Sequence, residues 1–207
     1  MAFANCFDGF AVIHAAFIHP QRHQHFEREL KRVGIHDFSI TETRPVTDDD
    51  ARLRNYSGRA NGYLSLMDGF LASISLAESR RWKSVVIMED DIVLRHDFFR
   101  RWNSIETELS KIDWGVLTLH RAPSDGKFIV SEPIFGTRLI PIQHNILAHC
   151  VIVRSAFYRA FVESLQTCIE RGYPNDFSME YFRTVTPTTY SPQTGISPDN
   201  VDRWRAL

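Results

Sequence analysis

Three consecutive acidic residues, Glu89, Asp90 and Asp91, are the part of this sequence best suited to chemistry. They directly follow residues 84–88 (SVVIM), an apolar and β-branched run that predicts a central strand buried on both faces. Backbone alternation would send Glu89 and Asp91 to one side and Asp90 to the other. Clustered carboxylates that lose water need a compensating cation or hydrogen-bond donors. A hard divalent ion with oxygen ligands, Mg²⁺ or Mn²⁺, is the expected partner.

The position of this triplet indicates what a bound cation would do. In open α/β sheets, ligands bind at the carboxyl ends of the strands, where these acids are placed. A cation there would neutralise the charge that develops on a departing nucleoside diphosphate, and the transferred group would be a sugar. The alternative is a solvated acidic turn at the end of a strand, and the triplet alone leaves both interpretations open.

Basic residues after other predicted strands are candidate phosphate contacts. His19 and Arg22 follow the first predicted strand, and Arg121 follows the fourth. An arginine can pair bidentately with phosphate, and the alternative for each is a solvated surface cation. His19 and His23 also have the spacing of a helical zinc pair, but Pro20 interrupts the helix, so we do not expect a dedicated zinc site.

Alternating strand and helix patterns surround these residues and predict an α/β protein with a mostly parallel sheet flanked by helices. The turn-rich stretch 123–142 predicts a smaller antiparallel portion. No repeat or linker divides the chain, so residues 1–207 are expected to form a single domain. The predicted strands are 10–17, 38–43, 84–88, 114–119 and 148–153. The predicted helices are 21–33, which Gly34 ends, 64–80, 98–112, and one that Ser155 caps and Gly172 ends. Residues 45–59 are predicted to form a surface loop or a short helix.

Composition excludes several other classes of protein. The 24 Lys and Arg residues balance 25 Asp and Glu residues, which argues against a nucleic-acid binder that relies on overall positive charge. Three cysteines are too few for a disulfide framework and predict a reducing, cytoplasmic compartment. No apolar stretch reaches the ~20 residues that span a bilayer, so we expect at most peripheral membrane contact. Phosphate-binding glycine-rich loops and the G-x-S-x-G elbow are absent from the sequence, which excludes P-loop NTPases and ordinary dinucleotide enzymes.

Residues 71–98 (LASISLAESRRWKSVVIMEDDIVLRHDF) resemble the core of the family 25 glycosyltransferases, the lipopolysaccharide and collagen-glycosylation type. That core has a helix, a polar link with an aromatic residue, a hydrophobic strand, Glu-Asp-Asp, an apolar pair and a "DF" helix start. Looser similarity extends over most of the chain. It involves Val12-Ile13-His14 with Arg22, Phe26, Leu30 and Gly34; residues 149–154; Pro174-Asn175-Asp176; and Gln193, Ser197 and Asp199.

The resemblance implies a GT-A-like, Rossmann-related fold and a metal-dependent hexosyltransferase. The donor would be a nucleoside diphosphate sugar, most commonly UDP-linked, and the acceptor a hydroxyl of a glycan or lipid-linked carbohydrate, with inversion. Two departures leave open a divergent or catalytically inactive nucleotide-sugar-binding member. Gly69-Phe70 stands where the family has a Ser-His pair, and residues 17–22 lack the usual form of the first loop. A nucleotidyl or phosphoryl transferase that uses the same carboxylates is a third interpretation.

The resemblance also implies roles for individual residues. Asp91, with Glu89 or Asp90, would hold Mn²⁺ or Mg²⁺, and His149 or His144 from the later half of the chain would be an extra ligand. A hydrogen-bonded core or loop histidine is the alternative for both histidines. Asp90 would contact the nucleotide together with His19, Arg22 and Arg121. Asp176 would be the general base and Glu180, one turn on, its substitute; an aspartate at that position is equally suited to cap a helix.

Overall fold

The structure, a computed structural model of the chain, describes residues 2–56, 61–94, 98–119, 139–141, 149–173 and 184–187. Arg121, His144, Asp176 and Glu180 lie outside these residues, so their predicted roles stay predictions. The strands are β1 (Gly9–His14), β2 (Ser39–Glu42), β3 (Ser84–Glu89), β4 (Val116–Thr118), β5 (Leu139–Pro141), β6 (Cys150–Arg154) and β7 (Thr184–Pro187). The helices are α1 (Arg22–Arg32), α2 (Asn61–Ser79), α3 (Phe98–Leu109) and α4 (Tyr158–Arg171), with short 3-10 helices at Phe3–Asn5, Ala51–Asn55 and Ser155–Phe157.

One mixed sheet carries these strands in the order β2-β1-β3-β6-β4-β7-β5. The pairs β1–β2, β1–β3 and β4–β7 are parallel. Strand β6 runs antiparallel to both of its neighbours, β3 and β4, and β5 runs antiparallel to β7. Strands β1, β2, β3, β4 and β7 therefore point one way, and β5 and β6 point the other. The predicted α/β class, with a mostly parallel sheet and a smaller antiparallel portion, is confirmed.

The pleat of β3 divides the core into two layers. Val86 and Met88 pack in one apolar cluster with residues of α1 and α3, and Val85 and Ile87 pack in a second cluster with residues of α2 and α4. All four side chains are at most 1% exposed. Side chains alternate along a strand, so the same pleat determines the face of the sheet toward which each of the following acidic side chains points. The apolar run 84–88 thus forms the buried central strand that the sequence predicts.

Gly69 allows α2 to lie unusually close to β1. A Cβ at this position would lie 2.5 Å from Ile13 Cγ2 and 3.0 Å from Thr43 Cγ2, so a larger side chain requires the neighbours to move. Phe70 is 1% exposed and its ring packs edge-on against Phe161. The two residues that replace the Ser-His pair of the family pattern are therefore core positions that pack the helix against the sheet.

Several predicted boundaries differ from the observed ones. Strand β1 ends at His14, because residues 16–18 form a turn, and α2 starts at Asn61, three residues before the predicted start. The prediction that Ser155 caps a helix is wrong: Ser155 opens a 3-10 helix, and α4 follows at Tyr158. Gly34 and Gly172 have positive φ, as their predicted role at helix ends requires. Among the helices described, none has the length and apolar character needed to cross a bilayer.

Candidate active site

Glu89, Asp91 and His149 meet at the carboxyl end of β3. Each residue offers one ligand atom, and these three atoms lie within 4.8 Å of one another. Glu89 Oε1 is 3.1 Å and Asp91 Oδ1 is 3.8 Å from His149 Nδ1. The family resemblance implies a metal site that includes these residues, and the structure brings all three together. It is the only such group of potential ligands among the described residues.

The donor atoms of this corner fit a divalent cation. Asp91 Oδ1 is buried and accepts no hydrogen bond from the described part of the chain, which is costly for a carboxylate oxygen without a cation. The three side chains remain between 18% and 28% exposed, so an ion and its waters can reach them. Two carboxylates and an imidazole are ligand types that Mn²⁺ accepts, whereas Mg²⁺ prefers oxygen ligands alone.

Asp90 points to the opposite side, as alternation along the strand predicts. Its Oδ2 accepts hydrogen bonds from His14 Nδ1 at 2.7 Å and from the Ala15 amide at 3.0 Å. Its Oδ1 accepts from Arg22 Nη1 at 2.9 Å. The Asp90 side chain is only 5% exposed, and these three donors stabilise its buried negative charge. A direct contact between Asp90 and a nucleotide stays a prediction, since both of its oxygens already have partners within the protein.

Arg22 connects the buried Asp90 with the partly exposed Asp91. Its Nη1 atom, bonded to Asp90 Oδ1, also lies 3.5 Å from Asp91 Oδ2. His19 precedes Arg22 by one turn, and its own amide donates to the Ala15 carbonyl. Burial lowers the pKa of the His19 imidazole and the positive charge of Arg22 lowers it further, which favours the neutral ring. The structure therefore places both predicted phosphate contacts beside the acidic corner.

Helix α1 also holds the backbone that follows the acids. His25 Nε2 lies 2.9 Å from the Ile92 carbonyl oxygen, and Glu29 accepts a hydrogen bond from the Leu94 amide at 3.1 Å. Arg32 donates to the Leu94 carbonyl and pairs with Glu29. With Arg22, these residues form the polar stripe of α1, one helical face with spacings of three, four and three residues. His25, two residues after His23, thus makes a structural contact.

A cavity of about 250 Å³ adjoins the acids at the carboxyl ends of β1 and β3. Glu89, Asp90 and Arg22 line one side of it, and Phe17 and Ile18 stand at its border with 44% and 55% exposure. The rest of the wall comes from the end of β1, the segment after β2 and the start of α2. It comprises Ile13, Ala15, Thr43, Pro45, Val46, Asn61, Gly62, Ser65 and Leu66.

Side-chain hydrogen bonds hold the loop between β2 and α2, which forms one wall of this cavity, in place. Ser65 Oγ donates to the Arg44 carbonyl at 3.0 Å, and Asn61 Nδ2 donates to the Val46 carbonyl at 2.8 Å. Arg52, in the 3-10 helix of the loop, pairs with Asp50 at 2.8 Å and with Asp68 of α2 at 2.6 Å. These bonds fix the cavity wall relative to α2.

Two residues that sequence reasoning missed contribute to this corner. His14 interrupts an apolar strand and gives no chemical signal by itself; its partner, Asp90, becomes visible only through the pairing of Ile13 with Glu89 between β1 and β3. Glu29 follows ordinary helical spacing, and its contact with Leu94 lies far away in sequence. The register of β1 against β3 is the signal that could have identified His14, whereas the contact of Glu29 joins a helix to the segment after β3 and follows from no local pattern.

No family model matches the sequence, and no curated protein matches it. Several solved structures are similar, two of them as follows at low identity. One is described as a glycosyltransferase involved in the glycosylation of the major capsid of PBCV-1; it is 13% identical with a TM-score of 0.37, and the match covers 78% of this chain and 66% of that one, just under two thirds of its length. The other is described as a mannose-1-phosphate geranyltransferase from Thermus thermophilus, 10% identical with a TM-score of 0.45, covering 86% of this chain and 72% of that one.

Proposed function

We propose that this chain is a metal-dependent glycosyltransferase that moves a hexose from a nucleoside diphosphate sugar to a carbohydrate hydroxyl. One observation carries the proposal: Glu89, Asp91 and His149 converge beside Arg22 and a cavity at the carboxyl ends of β1 and β3. Ligands of open α/β sheets bind at this edge. The resemblance of residues 71–98 to the family 25 glycosyltransferases agrees with this interpretation.

The donor would occupy the cavity with its diphosphate toward the acids. Phe17 has an exposed ring at the cavity border, where a nucleobase can stack on it. UDP is the expected nucleotide from the family resemblance. Arg22 would supply positive charge to the diphosphate from the Asp91 side, since its guanidinium lies close to Asp91 and Arg22 itself lines the cavity.

Glu89, Asp91 and His149 would hold the cation. When bound, the cation neutralises the charge that develops on the departing diphosphate. Its mixed oxygen and nitrogen ligands favour Mn²⁺ over Mg²⁺. Asp90 acts differently from its neighbours, because it is buried and keeps Arg22 in place. Its pairing leaves Asp91 directed toward the ion.

The acceptor would be deprotonated from another part of the chain. We propose Asp176, with Glu180 as its substitute, as the general base of an inverting transfer; a base must lie within hydrogen-bond reach of the attacking hydroxyl. Arg121 is proposed as a further diphosphate contact. A glycan or lipid-linked carbohydrate, as in lipopolysaccharide assembly, is the proposed acceptor, and a peripheral membrane contact on the cytoplasmic side would bring the enzyme to it.

A turnover assay tests this proposal. The protein is incubated with a panel of UDP-sugars and Mn²⁺, with and without oligosaccharide acceptors, and release of UDP is measured. We expect release that depends on Mn²⁺ and is lost in Asp91→Asn, while His36→Gln, an exposed residue of another loop, keeps full activity. Mn²⁺-dependent UDP binding without release from any donor would instead identify a binding module, and release of a sugar phosphate would identify a nucleotidyl transferase.

A further inference from the structure

His14 is a buried polar residue that belongs neither to the apolar core nor to the proposed metal site. It is 3% exposed and ends β1, with its ring edge-on to Phe26 at a centroid distance of 5.3 Å. Its Nδ1 atom lies 2.7 Å from Asp90 Oδ2, a distance that indicates a strong charge-assisted hydrogen bond. Since a carboxylate oxygen only accepts, Nδ1 carries the proton in this bond.

The bond from His14 determines how Asp90 divides its two oxygens. Oδ2 faces β1, where His14 and the Ala15 amide donate to it. Among the described residues, Oδ1 accepts a hydrogen bond from one donor, Arg22 Nη1. The same Nη1 atom lies 3.5 Å from Asp91 Oδ2. A continuous series of polar contacts therefore runs from His14 through Asp90 and Arg22 to Asp91.

We propose that His14 is a positioning residue for the donor site: by holding Asp90 Oδ2, it keeps Arg22 shared between Asp90 and Asp91. This inference rests on the proposed function, in which Asp91 binds the cation and Arg22 the diphosphate. His14 itself lies on the far side of Asp90 from Asp91, so it acts only through its neighbours.

The physical reason is a competition for the Arg22 guanidinium. Arginine prefers to bind a carboxylate with two parallel hydrogen bonds, one to each oxygen. At Asp90, His14 and the Ala15 amide occupy Oδ2 and prevent that arrangement. Without the His14 donor, Asp90 can turn both oxygens toward Arg22. Arg22 would then move away from Asp91 and from the diphosphate position.

Substitutions at His14 separate this role from simple packing. His14→Leu keeps the volume and removes the donor, whereas His14→Asn places an amide nitrogen close to the position of Nδ1. Tyr158→Phe is the matched control, because it removes a buried hydrogen bond, to the Trp82 carbonyl at 3.1 Å, at the opposite end of the sheet. If His14→Leu does not fold, His14→Ser replaces it, since the shorter hydroxyl cannot reach Asp90.

Two measurements are made on each variant. The first is the side-chain NMR signal of Arg22 in the metal-free protein, assigned by its loss in Arg22→Lys. The second is the affinity for Mn²⁺ and for UDP with Mn²⁺, by calorimetry. We expect His14→Leu to shift the Arg22 signal and to weaken both affinities by about 10- to 100-fold, the usual effect of losing an outer-shell contact. His14→Asn should restore most of both, and Tyr158→Phe should change neither.

The two measurements distinguish failure of this inference from failure of the proposed function. If the wild type binds Mn²⁺ and UDP, and His14→Leu binds them equally well, the inference is wrong and the function stands. If the Arg22 signal of His14→Leu matches the wild type, the inference is wrong whether or not metal binds. If the signal shifts as expected but the wild type binds neither Mn²⁺ nor UDP, the series of contacts from His14 to Asp91 is confirmed. The proposed function is then wrong, and His14 has no role in donor binding.

Discussion

Glu89 and His149 are joined both through their backbones and through their side chains. The Glu89 amide donates to the His149 carbonyl at 3.0 Å, and Glu89 Oε1 lies 3.1 Å from His149 Nδ1. The backbone bond extends the antiparallel ladder of β3 and β6 beyond the pair Met88–Cys150. Because β6 runs against its neighbours, its beginning lies at the edge where β3 ends. Sheet register therefore positions the histidine against the carboxylates.

Replacement of His149 tests its role as a metal ligand. In His149→Gln we expect Mn²⁺ affinity to fall at least about tenfold, with a smaller change for Mg²⁺, because only the softer ion gains from an imidazole ligand. Competition titration, followed by the electron paramagnetic resonance of free Mn²⁺, measures both affinities. His36→Gln is the control for loss of a histidine elsewhere. Equal losses for the two ions would show that His149 acts on the site without ligating the metal.

Sequence and structure agree best where local pattern determines geometry. The apolar run before the acids, the alternation that separates Asp90 from Glu89, and helix α1 itself all follow from short-range periodicity. The prediction of His149 as a ligand came from the family resemblance, and its convergence with Glu89 depends on a long-range antiparallel pairing. His14 could not be predicted, because its partner is 76 residues away. The wrong cap at Ser155 reflects the insertion of a 3-10 turn, which residue preferences alone do not reveal.

Glu29 is predicted to hold the backbone after the acids. In Glu29→Ala the Leu94 amide loses its acceptor at 3.1 Å, so its hydrogen exchange should accelerate strongly. Glu27→Ala is a matched control on the same helix, because Glu27 pairs only with the exposed Lys31 among the described contacts. Amide exchange followed by NMR or mass spectrometry compares the two. Similar protection of Leu94 in both variants would contradict this role.

Phe17 is predicted to stack on the nucleobase. Loss of one base–aromatic contact typically costs about 1–3 kcal/mol, so Phe17→Ala should weaken UDP binding by roughly 5- to 150-fold. Pyrophosphate, which has neither a nucleobase nor a ribose, should bind equally well to the wild type and to Phe17→Ala. Phe99→Ala removes another exposed ring, 38% accessible and not part of the cavity wall, and should leave UDP affinity unchanged. If Phe17→Ala and Phe99→Ala bind UDP alike, the nucleobase lies elsewhere.

The unfolding free energy of the protein should depend on pH through Asp50, which lies in the loop that forms one wall of the cavity. Hydrogen bonds from Arg52 hold the pKa of Asp50 at about 2, below its ordinary value of 3.8. A carboxyl whose pKa is lower in the folded state stabilises the fold above the unfolded value and loses that effect as the pH falls through the folded value. The difference in unfolding free energy between wild type and Asp50→Asn should therefore be constant above about pH 5 and shrink toward zero near pH 2.

Denaturant unfolding at several pH values measures this difference. Asp37→Asn, in an exposed loop on another part of the chain, is the control for a general effect of losing one negative charge. A difference in unfolding free energy between wild type and Asp50→Asn that stays the same from neutral pH to about pH 2 would contradict the lowered pKa of Asp50.

The proposed function depends above all on a divalent cation that joins the acidic corner to the diphosphate. Calorimetric titration of UDP into the wild type and into Asp91→Asn, each with Mn²⁺ and with a chelator, tests this bridge. We predict UDP binding to the wild type that weakens at least about tenfold when the metal is removed, and the same weakening in Asp91→Asn with metal present. UDP affinity that is equal in all four titrations would show that no such bridge forms.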